Sequence, residues 1–256
     1  MLTSVHNPRV KQMVRLKDKR ERDLTGQFLI EGYREMASAV KGGVEFVAIY
    51  YCPDLYLGIN EEDLLSSIQA PLYEVAADIF KKISYRDRPD GLIGIAKQMG
   101  RKLKDLPKTD FLVIAQSIEK PGNLGTILRS ADAAGADGVL VVDRCTDIYN
   151  PNVVRSSVGT LFTVPIVETT TQEALAFIKE KGIEVYAATP DAELSYRDIH
   201  YQKGVAIAVG TEQLGLTSEW MALKQVKIPM YGSANSLNVA MATTLLLYEV
   251  AYALHR

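Results

Sequence analysis

Five short runs from residue 111 onward are almost purely apolar: 111–115 (FLVIA), 139–142 (VLVV), 165–168 (PIVE), 184–188 (EVYAA) and 205–209 (VAIAV). A strand that does not alternate apolar with polar residues is buried on both faces, so these runs predict an α/β fold with a parallel sheet and helices on both sides of it. The intervening sequence supplies the helices. From about 124 to 134, Leu124, Ile127, Leu128, Ala131 and Ala134 recur at the spacing of one buried stripe, while Arg129 and Asp132 fall off it. A second helix is predicted over 171–181. A final one, over 236–254, has no charge before Glu249 and is apolar or small almost all round. Such a helix must be covered from several directions, by its own domain or by another subunit.

The first half alternates less strongly. A helix is predicted over 7–22, with Val10, Met13 and Val14 on one face. It is followed by a strand at 28–32 (FLIEG), a helix stopped by Gly42 and Gly43, and a strand running into Pro53. Further elements are expected near 61–69, 72–75, 76–83 and 91–98. The polar, Pro-containing stretch 101–110 reads as a linker, dividing the chain into domains 1–100 and 111–256. The net charge is -2, which argues against nucleic-acid binding by bulk charge. Arg9, Lys11, Arg15, Lys17, Lys19, Arg20 and Arg22 are nevertheless interrupted only by Asp18 and Glu21. Taken alone, that run is a solvated helix face. Cys52 and Cys145 are too far apart for a metal-ligand spacing, so no metal site and no disulfide framework are expected. With no signal-like or membrane-spanning stretch, a soluble cytoplasmic protein is expected.

Three segments of the second domain share one plan, an apolar strand or turn followed by Gly, Asn or Ser and then a helix: EKPGNLGTILRSADAAG (119–135), AVGTEQLGLT (208–217) and IPMYGSANSLNVAMA (228–242). Gly210 at the end of a strand lets backbone approach a ligand closely. Ser233, Asn235 and Ser236 stand where a helix N-terminus needs capping groups. Each polar residue also has a purely local reading. Asn123, Ser236 and Asn238 can serve as helix caps, and Glu212 can accept amides of its own turn.

In order, spacing and chemistry the three segments resemble the signature motifs of the SpoU (TrmH-like) branch of the SPOUT RNA methyltransferases, which methylate the ribose 2'-oxygen. NPRVKQMVRL (7–16), FLIEG (28–32) and DRPDGLIGIA (87–96) resemble the small α/β RNA-binding domain found at the N-terminus of such rRNA enzymes. The resemblance implies a C-terminal SPOUT domain with a deep trefoil knot, S-adenosylmethionine as cofactor and a homodimer. It casts Asn123, Arg129, Glu212, Ser236 and Asn238 as catalytic, and Gly210, Ile228, Leu237 and Thr189 as cofactor-binding. The acceptor it implies is structured RNA, with rRNA ahead of tRNA, and it turns Arg9, Lys11, Arg15, Lys19, Arg20 and Arg22 into RNA-binding candidates. Among Tyr50, Tyr51, Tyr56, Tyr73 and Tyr85, most read as core while some can stack on unpaired bases. After Ser236-Leu237-Asn238-Val239 the family often has another Ser, where this chain has Ala240. Two alternatives carry different chemistry. A nucleotide-binding oxidoreductase would need a GxGxxG after its first strand, which is absent. A binding-only RNA protein of the same fold would lack turnover.

Overall fold

Strands β1 (Gln27–Glu31), β2 (Phe46–Tyr51), β3 (Leu72–Glu74) and β4 (Leu92–Lys97) form a mixed sheet in the order β1-β4-β2-β3, antiparallel except for the β2–β3 pair. The computed structural model, which describes residues 1–255, surrounds this sheet with α1 (Pro8–Arg15), α2 (Lys19–Thr25), α3 (Tyr33–Lys41), α4 (Glu61–Ser66) and α5 (Ala77–Ile83). Val10, Met13 and Leu16 pack with Leu29, Tyr50, Phe80 and Ile95 in its core. The helix predicted over 7–22 is two helices. Asp18 adopts an extended backbone and its Oδ1 accepts the Arg20 amide at 2.7 Å, so it caps a new helix instead of continuing the old one.

The chain divides into two compact units. The first comprises Met1–Met99 together with Asp147–Thr163, a segment that sequence continuity alone assigns to the second domain. Its helices α7 (Pro151–Ser156) and α8 (Thr160–Thr163) are short. Specific packing holds the segment in the first unit: Phe28 meets the Tyr149 ring at 4.5 Å and the Phe162 ring at 6.0 Å. Tyr149 Oη also donates to the Met99 carbonyl at 2.6 Å. At Gly42 an added Cβ would stand 2.2 Å from the Phe162 carbonyl oxygen, so only glycine admits this approach.

The second unit, Gly100–Thr146 and the chain from Val164 onward, contains β5 (Phe111–Gln116), β6 (Gly138–Val142), β7 (Ile166–Thr169), β8 (Glu184–Ala188), β9 (Val205–Val209) and β10 (Lys224–Val226). They form one all-parallel sheet in the order β10-β8-β9-β5-β6-β7. Every residue of β5, β6 and β9 is buried, as uninterrupted apolar strands require. Each fully buried Leu or Ile here, such as Leu112 and Ile114, contributes about 1.5–3 kcal/mol relative to exposure. The helices are α6 (Pro121–Ala133), α9 (Thr171–Lys181), α10 (Ser218–Met221) and α11 (Val239–Leu254). No helix among the described residues is long and apolar enough to cross a membrane. From β5 the sheet grows through β6 to β7 on one side and through β9 and β8 to β10 on the other. The chain direction across the sheet thus reverses beside β5. In open parallel sheets such a reversal leaves a crevice at the carboxyl ends of the strands, where ligands bind.

Candidate active site

Each motif loop leaves the carboxyl end of a strand: residues 117–120 follow β5, 210–217 follow β9 and 227–238 follow β10. The loop after β9 closes on itself, with the Thr211 amide donating to the Gly215 carbonyl and the Gly215 amide to the Thr211 carbonyl, both at 3.1 Å. A Cβ on Gly210 would stand 2.3 Å from the Gly215 oxygen. Glycine at 210 is therefore demanded first by the turn itself, whatever approaches from outside. Gln116, at the end of β5, anchors the far end of the loop: its Oε1 accepts the Thr217 amide at 3.0 Å and its Nε2 lies 3.1 Å from Thr217 Oγ1. The same Nε2 lies 3.1 Å from Asp143 Oδ2, and Thr171 Oγ1 donates to that oxygen at 2.6 Å. Burial raises the Asp143 carboxyl, but the bonds from Thr171 and Gln116 outweigh it and leave the group below its ordinary range.

This scaffold brings the three motifs into one hydrogen-bonded cluster. Asn123, in the first turn of α6, donates through Nδ2 to Glu212 Oε1 at 2.6 Å. Asn238 Nδ2 lies 3.0 Å from the same Glu212 oxygen and 3.1 Å from Asn123 Oδ1. Lys120 Nζ pairs with the other Glu212 oxygen. The hydrogen bond from Lys120, and next that from Asn123, hold the Glu212 carboxyl below its usual range, so the carboxylate form is favoured, with Lys120 as its counter-charge. Asn238 has a second task. Its Oδ1 accepts the amides of Ala240 (3.0 Å) and Met241 (3.4 Å), making it the N-cap of α11.

The cap corrects the expectation that Ser233, Asn235 and Ser236 begin that helix: it starts at Val239, and those residues lie in the exposed loop before it. Ala240 takes part in the cap through its amide, and its side chain is buried.

Behind the cluster lies a cavity of about 700 Å³ in the second unit. Thr189, Gly210, Ile228 and Leu237 all line it, with Glu212, Ser236 and Asn238 among its polar groups and Met221, Met230 and Leu246 adding apolar wall. A small adjoining hollow is lined by Lys120, Asn123, Glu212 and Val239. Arg129 lines neither. It is exposed on α6, and its guanidinium has no hydrogen bond or ion pair among the described residues. Two participants escaped sequence reasoning. Lys120 sits inside the first motif but has no pattern of its own, and Gln116 falls just past the 111–115 run with nothing in the sequence to mark it.

Among the basic candidates of the first unit, Arg22 requires correction. It is 1% exposed, pairs with Asp147 at 2.7 Å and donates to the Leu16 and Lys17 carbonyls at 2.9 and 2.8 Å. A guanidinium so enclosed cannot reach an external phosphate. Arg9 lies over the Tyr73 ring at 4.2 Å, Arg15 is 4.0 Å from Glu21 and Lys19 pairs with Asp23 at 2.5 Å. Lys11 and Arg20 are exposed.

A parallel sheet with a ligand-sized cavity at the carboxyl ends of β8, β9 and β10, and an amide–carboxylate cluster at the cavity mouth, defines an α/β enzyme domain with a small-molecule site beside a polar reaction site. Comparison with known proteins specifies which one. The chain belongs to the SpoU rRNA methylase family, whose model matches residues 110–248, and residues 7–94 match the MRM3-like substrate binding domain. It is 30% identical over 251 residues to the 23S rRNA (guanosine(2553)-2'-O)-methyltransferase of Bacillus subtilis, covering 97% of this chain and 98% of that protein. Among solved structures, an AdoMet-bound rRNA methyltransferase from Sinorhizobium meliloti superposes with a TM-score of 0.89 at 32% identity, over 98% of this chain and 97% of the other. A structure described as an RNA 2'-O ribose methyltransferase superposes with a TM-score of 0.86 at 40% identity, over 98% of both chains.

Proposed function

We infer that this protein is an S-adenosylmethionine-dependent methyltransferase acting on a ribose 2'-hydroxyl of ribosomal RNA. The observation that carries the reading is the convergence of Asn123, Glu212 and Asn238, one from each motif, at the mouth of the 700 Å³ cavity. That volume lies within the range of about 300–1,000 Å³ usual for small-molecule sites. The cavity wall suits an amphiphilic nucleoside cofactor, with Ile228, Met230, Leu237 and Leu246 offering apolar contact and the 210–217 loop offering backbone groups. When bound, S-adenosylmethionine supplies a sulfonium-activated methyl group.

The remaining work falls to side chains. Asn123 and Asn238 fix the Glu212 carboxylate, which is positioned to accept a hydrogen bond from a ribose hydroxyl and so to orient its oxygen. Ser236, exposed on the rim, adds a second hydroxyl partner. The guanidinium of Arg129 offers donors and no acceptor atom, so it cannot ordinarily serve as a base. Its role in this reading is to hold an RNA phosphate and to stabilise negative charge developing on the 2'-oxygen. Its exposure, and the lack of a partner among the described residues, suit a group reserved for substrate.

The reading extends to the parts the family resemblance implies. The first unit recognises RNA, the C-terminal segment is knotted, the enzyme works in the cytoplasm and two copies associate. Support for association is the exposed row Met241, Leu245 and Tyr248 on α11, beside Thr244, whose hydroxyl is 2.7 Å from that of Ser130 on α6. The deciding experiment is transfer of labelled methyl to rRNA lacking the modification, with the product mapped by cleavage sensitive to ribose methylation. A mapped 2'-O-methyl that disappears with Arg129→Ala is the expected result. Cofactor binding without transfer to rRNA would reject the acceptor assignment.

A further inference from the structure

The first unit contains a buried ionic cluster that methyl transfer does not employ. Arg86 pairs with Glu35 at 2.7 Å and Asp90 at 3.6 Å, and its Nη2 donates to the Glu31 carbonyl at 2.8 Å. The guanidinium occupies the space over Gly32, where an added Cβ would stand 2.6 Å from both Nη atoms. Gly32 has a φ of 106°, and the helix it begins is covered by Asp90, whose Oδ2 accepts the Tyr33 amide at 2.9 Å. The Glu31 carboxylate is grasped by the loop after α5. It accepts the Ser84 hydroxyl, the Tyr85 amide at 2.7 Å and the Arg86 amide at 3.3 Å.

This cluster is a costly way to stabilise a fold. Glu35 Oε2, Arg86 Nε and Asp90 Oδ1 are buried without a hydrogen-bond partner among the described residues. Apolar packing of similar volume would serve stability at least as well. What the cluster achieves is position, since residues 84–86 are held from both ends and the Tyr85 ring between them is 42% exposed. Of the five tyrosines named as possible stacking groups, Tyr50 is buried, Tyr51, Tyr56 and Tyr73 are half-buried, and only Tyr85 is exposed.

The surroundings of Tyr85 are cationic. Lys81 and Lys82 end α5 and are exposed, as is Arg88. Lys17 Nζ donates to the Ser84 carbonyl at 3.2 Å. That bond brings the α1–α2 junction to the loop, and with it Arg15, Lys19 and Arg20, which flank the junction in sequence together with the acids Asp18, Glu21 and Asp23, of which Glu21 lies 4.0 Å from Arg15 and Asp23 pairs with Lys19. Asp78 and Asp87 are the exposed acids of the same stretch.

We propose that Tyr85 is a base-stacking platform on the RNA-binding face of the first unit, with Lys81, Lys82, Arg88 and the cations of the α1–α2 junction neutralising the flanking phosphates. The proposal rests on the RNA reading above and narrows it to unpaired RNA. A paired base has both faces occupied by its neighbours, whereas an unstacked base offers a π face to an aromatic ring. With the Tyr85 backbone already held by Glu31, stacking has only the side chain to order.

The test is binding of three fluorescent probes: an unmodified 23S rRNA transcript, a single-stranded oligonucleotide and a duplex of the same sequence. Tyr85→Ala is expected to weaken binding of the transcript and the single strand by about 5- to 150-fold, the loss of one stacked base. Tyr85→Phe and Tyr85→Trp keep the ring and are expected to bind close to the unaltered protein. If the unaltered protein binds the transcript and Tyr85→Ala binds it equally well, or Tyr85→Phe loses as much as Tyr85→Ala, the stacking proposal is overturned while the RNA reading stands. Failure of the unaltered protein to bind any of the probes overturns both. The ring is outside the core, so matching far-ultraviolet circular dichroism verifies that the variants fold.

Discussion

Lys120 shows how one side chain can set the chemistry of another. Its hydrogen bond to Glu212 is the largest influence holding that carboxyl below its ordinary range, followed by the bond from Asn123. In Lys120→Met the Glu212 pKa is expected to rise toward that of a free carboxyl. If an ionised Glu212 orients the ribose, the acid limb of the pH–rate profile for single-turnover methyl transfer moves to higher pH. Lys120→Arg, which restores a cationic donor, should largely return it. An unmoved acid limb in Lys120→Met would separate Glu212 ionisation from the reaction. The sign for stability is the same. A carboxyl whose folded pKa is depressed stabilises the fold above its unfolded pKa, and that contribution is lost as pH falls through the folded value. Lys120 and Glu212 are both substantially solvent-accessible, so the stability effect is small and the kinetic one is the informative readout.

At the scale of elements, the buried Arg22–Asp147 pair joins α2 to the segment that begins at Asp147. Asp147→Ala leaves a buried guanidinium with only the Leu16 and Lys17 carbonyls as partners. The expected loss is about 3–5 kcal/mol, read from the urea midpoint, because an uncompensated buried charge is left behind. A loss well below 1 kcal/mol would mean that water reaches the site. This pair also marks where sequence reasoning stops. The apolar runs of β5, β6 and β9 announce themselves, because burial on both faces leaves no polar residue in the pattern. The 171–181 helix is equally plain, bounded by the Thr170–Glu173 capping box and by Gly182 in the left-handed region. Nothing in a run of basic residues distinguishes Arg22, which turns inward, from Arg20, which does not. The difference is a carboxylate 125 positions away in the chain. The same holds for α7 and α8, whose attachment depends on Phe28, Ser38 and Gly42 in another part of the sequence. At the site, the motifs disclosed Asn123, Glu212 and Asn238 but could not reveal that the three bond to one another.

For the whole molecule, the final helix poses the remaining question. Its sequence is apolar nearly all round, yet only part of that surface is covered by this chain: Thr243, Leu246, Leu247 and Val250 are buried, while Met241 and Tyr248 remain 60% and 51% exposed. Leu245, at 44%, completes a row at the i, i+4, i+7 spacing of one helix face. The row is on the helix that Asn238 caps, so a partner covering it would also touch the element that carries the third motif. An isologous dimer covers such a face twice with one contact, because each copy presents the same surface. Leu245→Glu places a charge in that row without entering the core. Sedimentation velocity is expected to find the unaltered protein dimeric and Leu245→Glu monomeric at micromolar concentration, with circular dichroism unchanged. Methyl transfer by the monomer is expected to fall steeply, since the α11 cap and the cluster built on it would lose the support of the second copy. A monomeric unaltered protein would leave the exposed row without a role in assembly. A dimeric Leu245→Glu protein would place the interface on another surface.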